Sequence, residues 1–149
     1  MIAEIIPKLF LSSQLEASNV ELLQKLGIES TISVASDLDV AVFHPFLKRY
    51  SLHSLLDDDT NSLMKYQDVL HSIAQSHQVE QWSTLVHCKA GASRSPSMIA
   101  YYLFVSQLPH KFKSPDDAMQ HVIDAYDCPA GPGAMKFSPV WRQLKKMIG

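Results

Sequence analysis

A cysteine and an arginine lie six positions apart in the stretch LVHCKAGASRSP, residues 85–96, with a glycine between them. Alone, a cysteine is usually a small buried hydrophobe and an arginine is usually a surface residue. Together, Cys88, Gly91 and Arg94 suit one chemistry. Cysteine supplies a nucleophile, and arginine supplies a planar fork of donors for two phosphate oxygens. Glycine allows the positive φ or the close backbone approach that a tight loop requires. The spacing therefore predicts nucleophilic attack on a bound phosphate ester.

The elements on either side would place this stretch in an anion-binding loop. STLVHC favours a buried strand and SPSMIAYYLFVSQL favours a long apolar helix. A loop between them can aim several backbone N–H groups at one point, where the helix N-terminus adds partial positive charge. The same charges stabilise a thiolate, so we expect a phosphocysteine intermediate that water then hydrolyses. The loop residues expected to bind phosphate are Lys89, Ala90, Gly91, Ala92, Ser93 and Arg94.

Short apolar runs alternate with helical patterns along the whole chain, which predicts one α/β domain over residues 1–149. EIIPKLFLSS favours a strand pair, and IESTISVAS and RYSLHSLL favour single strands. ASNVELLQKLG predicts a helix that ends at Gly27, and Asn61 is the expected N-cap of the next helix. The apolar face expected for that next helix comprises Leu63, Tyr66, Leu70, Ile73 and Ala74. SPDDAMQHVIDAY and SPVWRQLKKMI predict two further helices, separated by a loop, DCPAGPGAMKF.

The composition argues against several classes of protein. The formal net charge of −2 disfavours a nucleic-acid binder that depends on bulk positive charge. Two cysteines among 149 residues do not form a disulfide framework. The N-terminus does not resemble a secretory signal, and no apolar run is long enough for a membrane span, so we expect a cytoplasmic protein without membrane attachment. The chain has no HExxH or paired CxxC motif, and among its seven histidines only His87 lies in a motif, so we expect no metal or other cofactor.

HCKAGASRS resembles the HCxxGxxR[ST] signature of cysteine-based protein tyrosine phosphatases, and its AGxSRS form resembles the dual-specificity subfamily. The N-terminal segment IIPKLFLSSQLEASN, the strand LGIESTISVAS and the sequence WRQL near the C-terminus are also similar to that subfamily. The resemblance implies a central, mostly parallel twisted sheet flanked by helices. It implies that Cys88 is the nucleophile and Arg94 binds the phosphate. It further implies that the Ser95 hydroxyl bonds the thiolate and that His87 supports the loop. The plain alternative for Ser95 is a helix cap ahead of Pro96, and both roles could coexist in that residue.

The resemblance also implies a general acid on the loop that holds Asp57, Asp58 and Asp59. The subfamily's usual tyrosine-to-aspartate spacing of seven, counted from Tyr50, selects Asp57. The segment from Asp57 to Asn61 is shorter than the usual pattern by one residue, which makes Asp58 the alternative acid. Asn61 is expected to orient this loop as well as to cap the helix.

The leading functional hypothesis is a phosphatase for phosphotyrosine in a phosphorylated protein, with phosphoserine and phosphothreonine as further candidate substrates. One alternative is a phosphatase for phosphoinositides or RNA 5′-phosphates, because Lys89 is shared with some lipid-directed relatives, although these usually carry a basic residue where this chain has Ala92. The other alternative is a phospho-binding pseudophosphatase, which the intact Cys88 and Arg94 disfavour. Cys128 is interpreted as a structural thiol, with a disulfide to Cys88 as the alternative.

Overall fold

Five short strands form a single sheet, in a computed structural model that describes residues 1–148. They are β1 (Ala3–Ile6), β2 (Leu9–Ser12), β3 (Ser30–Ser33), β4 (Arg49–Leu52) and β5 (Thr84–His87). Their order across the sheet is β1-β2-β5-β3-β4. Only β1 and β2 pair antiparallel, while β2–β5, β5–β3 and β3–β4 are parallel. The prediction of a mostly parallel sheet in an α/β domain is therefore confirmed.

Seven helices cover the sheet in the part of the chain described above. They are α1 (Gln14–Ala17), α2 (Val20–Lys25), α3 (Leu63–Ala74), α4 (Arg94–Ser106), α5 (Pro115–Ala125), α6 (Pro132–Lys136) and α7 (Pro139–Ile148). A π-helical turn, Gln75–Val79, continues α3. None of these helices is both long enough and apolar enough to cross a bilayer.

The central strand β5 shows how the two faces of the sheet are buried. Val86 belongs to the larger core beneath α3, α4, α5 and α7, whereas its neighbour Leu85 belongs to a second core with Phe10 and Leu23. Successive strand residues point to opposite faces, so a sheet covered on both sides needs apolar residues at both. This explains why all four residues of β5 are buried.

The parallel arrangement sets the position of the functional site. The carboxyl ends of β3, β4 and β5 lie at the same edge of the sheet, and the segments 34–48, 53–62 and 88–93 leave from there. In open α/β sheets, ligands bind at this edge, where loops from different strands meet. The predicted phosphate loop and the predicted acid loop are two of these three segments.

Several local predictions are wrong in detail. The N-cap of α3 is Ser62, whose side chain accepts from the Lys65 N–H, because the side chain of Asn61 bonds within the preceding loop instead. The buried face of α3 is Tyr66, Val69 and Ile73, while Leu63 is 44% exposed, so the expected face is rotated. Helix α6 lies within the expected loop DCPAGPGAMKF, since Pro132 occupies its first turn, where a missing N–H costs nothing.

Candidate active site

Cys88 is the first residue after β5, and its sulfur is held by two donors. The Gly91 N–H donates to Cys88 Sγ at 3.3 Å, and the Ser95 hydroxyl donates to it at 3.1 Å. Cys88 is almost fully buried at 2% exposure, and Ser95 is buried completely. Both donors hold the sulfur in place beside the first turn of the helix that follows the loop.

Gly91 allows the loop to curl beneath the sulfur. Its φ of +70° lies in the left-handed region, as the sequence predicted, and a Cβ there would come within 2.6 Å of Tyr126 Oη and 2.9 Å of Ser13 N. The Gly91 carbonyl also accepts from Tyr126 Oη at 2.8 Å. The loop is thus fixed from below by α1 and by the segment after α5, and any other residue at position 91 would displace it.

The first turn of α4 supplies further N–H groups next to the predicted phosphate loop. This helix starts at Arg94, so Ser95 lies inside its first turn and the alternative that Ser95 is a helix cap is wrong. The cap position is Ser93, whose hydroxyl donates to Ser138 Oγ at 2.8 Å and caps nothing. The N–H groups at this end of α4 therefore remain available to an anion above Cys88.

The Arg94 guanidinium, only 6% exposed, is oriented by the protein. Its Nη1 donates to Asp37 Oδ1 at 2.7 Å and to the Leu55 carbonyl at 3.1 Å, and its Nη2 donates to Asp37 Oδ2 at 3.4 Å. Arginine has five N–H donors. Those left without a protein partner within residues 1–148 are Nε–H and one Nη2–H, which lie side by side on one edge. Such an edge has the geometry needed to donate to two phosphate oxygens at once.

Asp37 thus positions Arg94, although sequence reasoning did not find it. The hydrogen bonds from Arg94 hold the pKa of the Asp37 carboxyl below its usual range, so it stays an anion opposite the guanidinium. Its location two residues beyond the buried run at the end of β3, at the functional edge of the sheet, was the available signal.

A second acidic residue from the same segment faces Lys89. Asp39 Oδ2 lies 3.4 Å from Lys89 Nζ, and the Asp39 N–H donates to Gln14 Oε1 at 2.8 Å. Gln14 in turn donates its backbone N–H to the Lys89 carbonyl at 3.0 Å. Sequence reasoning missed both Asp39 and Gln14.

His87 is fully buried at the end of β5, next to the nucleophile. Its Nδ1 lies 3.4 Å from the Cys88 carbonyl, and its Nε2 has no protein partner within residues 1–148. Burial lowers the pKa of His87 to about 4, so the ring is neutral at pH 7. The role expected of His87 in supporting the loop stays a prediction.

The acid loop is shaped by Asn61. The Asn61 amide accepts from the Leu56 N–H at 2.8 Å and donates to the Leu56 carbonyl at 2.8 Å and to the Asp58 carbonyl at 3.4 Å. Its Nδ2 also contacts Tyr66 Oη at 3.2 Å. Asn61 is 3% exposed, so these bonds are shielded from water. The expectation that Asn61 orients this loop agrees with these contacts.

The three aspartates of the loop differ in their partners. Asp58 Oδ1 accepts from Thr60 N–H at 2.8 Å and from Thr60 Oγ1 at 2.5 Å, and these bonds lower the pKa of Asp58. A carboxyl stabilised as an anion is a poor proton donor. The side chains of Asp57 and Asp59 have no hydrogen-bond partner among residues 1–148, and both residues are exposed. Asp57 is therefore a better candidate for the acid than Asp58, and the spacing of seven from Tyr50 favours it over Asp59.

Cys128 lies next to the loop, a proximity the sequence did not reveal. Its Sγ is 3.9 Å from the Gly91 carbonyl, and the residue is 7% exposed. Burial raises the pKa of the Cys128 thiol, with a further contribution from Cys88. A neutral thiol against the back of the loop fits its interpretation as a structural residue.

Comparison with known proteins places this geometry in context. Residues 9–128 match the family described as the dual specificity phosphatase catalytic domain. A protein phosphatase Slingshot homolog of Xenopus laevis is 36% identical over 100 residues, which are 67% of this chain and 14% of that protein. The chain therefore matches only a small part of that relative.

Solved structures share the fold over nearly the whole chain. Human DUSP28 superposes with a TM-score of 0.76 at 24% identity, covering 97% of this chain and 90% of that one. A human tyrosine phosphatase-like serine/threonine/tyrosine-interacting protein also gives 0.76, at 23% identity, covering 99% of this chain and 95% of that one. At these identities, the likeness concerns the fold alone.

Proposed function

The chain belongs to the dual-specificity phosphatase family of cysteine-based phosphatases, and from that premise we propose that it hydrolyses phosphotyrosine, and also phosphoserine and phosphothreonine, in protein substrates. The observation that carries the proposal is the hydrogen bonding of the Cys88 sulfur. It accepts hydrogen bonds from Gly91 and Ser95 at the N-terminus of α4, the place where Arg94 presents a free fork.

In the first step, the Cys88 thiolate attacks the phosphorus of the bound ester. The S–P bond forms as the P–O bond to the leaving group breaks, and the leaving oxygen takes a proton from Asp57. Negative charge on the three equatorial oxygens is stabilised by the loop amides and by the Nε–H and Nη2–H of Arg94. The amides belong to Lys89, Ala90, Gly91, Ala92, Ser93 and Arg94.

In the second step, water attacks the phosphorus of the phosphocysteine. Asp57, now a carboxylate, takes a proton from that water, and the S–P bond breaks to release Cys88 as a thiolate. Ser95 stabilises the departing sulfur, because its hydroxyl already donates to Sγ at 3.1 Å. His87 and Asn61 act indirectly, by holding the phosphate loop and the acid loop in shape.

Dual specificity is supported by the family that the chain matches. The Slingshot relative is named a protein phosphatase, which supports a phosphoprotein substrate. Phosphoinositides and RNA 5′-phosphates are less suited, since the Lys89 side chain already faces Asp39 and position 92 is an alanine. A non-catalytic phospho-binding role is disfavoured by the complete set of Cys88, Arg94 and Asp57.

The mechanism requires a reduced thiol, so we place the activity in the cytoplasm. Both cysteines are free and buried. A thiolate nucleophile is lost on oxidation, and reducing compartments protect it.

A panel of substrates tests this function. The chain and its Cys88→Ser variant are assayed on phosphotyrosine, phosphoserine and phosphothreonine peptides, a soluble phosphoinositide, an RNA 5′-phosphate and an aryl phosphate. We expect turnover of the peptides and the aryl phosphate by the native chain only. Preference for the phosphoinositide or the RNA would replace the proposed substrate, and binding of peptides without turnover would identify a pseudophosphatase.

A further inference from the structure

Both cations of the phosphate-binding loop face a carboxylate from the segment that follows β3. Arg94 bonds Asp37, and Lys89 Nζ lies 3.4 Å from Asp39 Oδ2. The Arg94 pair is buried on the arginine side and leaves one edge of the fork free for substrate. The Lys89 pair is different, because both side chains reach solvent, at 40% exposure for Lys89 and 68% for Asp39.

The position of Asp39 is fixed by a closed ring of polar contacts. Gln14 Oε1 accepts from the Asp39 N–H at 2.8 Å, and Gln14 Nε2 donates to Asp39 Oδ2 at 3.4 Å. The Gln14 N–H bonds the carbonyl of Lys89 itself at 3.0 Å, which returns the ring to the loop. Gln14 is buried, so the ring has a rigid support although the ion pair is exposed.

An exposed ion pair of this kind contributes little to the stability of the loop. Its consequence for a ligand is electrostatic. A lysine next to the nucleophile would otherwise attract any second anionic group that a substrate carries near its scissile phosphate. The fixed carboxylate cancels that attraction, so the site does not favour a substrate with a second anionic group.

We propose that Asp39 is a specificity-determining residue that restricts the site to phosphopeptides with a single phosphate, and disfavours peptides with a second phosphate close by. The proposal rests on the phosphatase function proposed above. The single phosphate is still bound well, because the loop amides, the α4 N-terminus and the Arg94 fork do not depend on Lys89 Nζ.

The test compares two peptides of the same sequence. One carries a single phosphotyrosine, and the other carries an additional phosphothreonine two residues away. The measured quantity is the ratio of kcat/KM for the doubly to the singly phosphorylated peptide, with dephosphorylation at the tyrosine followed in both. We expect Asp39→Asn to raise this ratio by about fivefold to tenfold, as suits the loss of one charge at short range near a surface. The gain should shrink in high salt.

Two further variants separate this effect from a general change. Asp124→Asn removes a carboxylate of the same type, which also accepts from a glutamine amide, at 2.8 Å from Gln120 Nε2 on α5. It should leave the ratio unchanged. Lys89→Met in the Asp39→Asn background should cancel the gain, since the freed lysine is what attracts the second phosphate. Asp39→Ser serves as a second variant if Asp39→Asn folds poorly.

The outcomes are distinct. A ratio within about twofold of the native value in a folded Asp39→Asn protein overturns the proposal while the phosphatase function stands. An equal rise in Asp124→Asn also overturns it, because the effect would then follow net charge and not position. Absence of turnover of the singly phosphorylated peptide by the native chain would contradict the proposed function itself.

Discussion

Arg94 divides its donors between the protein and the substrate. Asp37 and the Leu55 carbonyl occupy three of its N–H groups and fix the plane of the guanidinium. The two that remain lie on one edge of the guanidinium, whose orientation is fixed before substrate binds. A bidentate contact that is held in place in advance loses little entropy on binding, which is how such a site stabilises a transition state.

Lysine cannot reproduce this arrangement, because it is a point charge without a planar fork. We expect Arg94→Lys to be nearly as inactive as Arg94→Ala, measured as kcat/KM on a phosphotyrosine peptide. Arg142→Lys, an exposed arginine on α7, is the control for the substitution itself. Retention of more than about a tenth of the native kcat/KM, a loss under roughly 1.4 kcal/mol, would show that the fork is not needed.

Asp57 should act as the general acid, because Asp58 is stabilised as an anion by Thr60. Asp57→Asn should remove the basic limb of the pH–rate profile, which reports loss of the donated proton. The defect should be larger for phosphoserine, whose poor leaving group needs protonation, than for an activated aryl phosphate.

Asp58→Asn and Asp59→Asn are the matched controls for this assignment. Both should keep the basic limb and the native dependence on the leaving group. A larger leaving-group-dependent loss in Asp58→Asn than in Asp57→Asn would move the acid by one residue. If none of the three variants changes the limb, the proton comes from another group.

At the scale of elements, the phosphate loop depends on a close approach between three segments. Gly91 meets Ser13 of the β2–α1 junction and Tyr126 at the end of α5, so the loop is packed between a strand end and a helix end. Gly27 has a similar φ of +72°, but nothing lies within 4 Å of the position of its missing Cβ. A side chain at Gly27 would therefore cause backbone strain alone, whereas a side chain at Gly91 would cause both strain and steric clash.

Alanine at each position tests this distinction. Gly27→Ala should lower the free energy of unfolding by about 1 kcal/mol through strain in the left-handed region alone. Gly91→Ala should lower it further and abolish turnover, because the loop must move away from Ser13. Urea unfolding and kcat/KM measure the two effects. Equal unfolding energies with an active Gly91→Ala protein would contradict the packing account.

Whether a feature could be predicted from the sequence depends on how far apart in the chain its contacting residues lie. The strand–loop–helix context of Cys88 and the positive φ of Gly91 were predicted, because both depend on neighbouring residues. Asp37 and Asp39 were not, since their contacts to Arg94 and Gln14 span 57 and 25 positions. Asn61 and Ser62 are both good N-caps, and only the demand of the acid loop for the Asn61 amide decides between them.

At the scale of the whole molecule, burial of His87 couples stability to pH. Its pKa is about 4 in the folded protein, against 6.5 for the ordinary side chain, because burial disfavours the charged ring. The unfolded chain therefore binds a proton at this position between pH 6.5 and 4, where the folded protein does not. The free energy of unfolding is therefore unaffected by this difference above pH 6.5, and it falls progressively as the pH decreases from 6.5 to about 4.

The expected loss is about 3 kcal/mol, from roughly 1.4 kcal/mol for each pKa unit of difference. Urea unfolding at a series of pH values measures it. His87→Gln should flatten the slope in this window, while substitution of the exposed His110 by glutamine should not. An unchanged slope in His87→Gln would mean that other groups cause the loss of stability in acid.

The central claim is that the phosphoryl group passes through Cys88. The most direct measurement is a rapid acid quench of the enzyme during turnover of a phosphotyrosine peptide, followed by mass spectrometry of its fragments. We expect one phosphoryl group on Cys88 in the native chain. We also expect Cys88→Ser to bind the peptide without turnover and without becoming phosphorylated, because the amides and Arg94 remain while the nucleophile is lost. Steady-state turnover by pure Cys88→Ser would contradict the account, and so would a phosphoryl group on a residue other than Cys88.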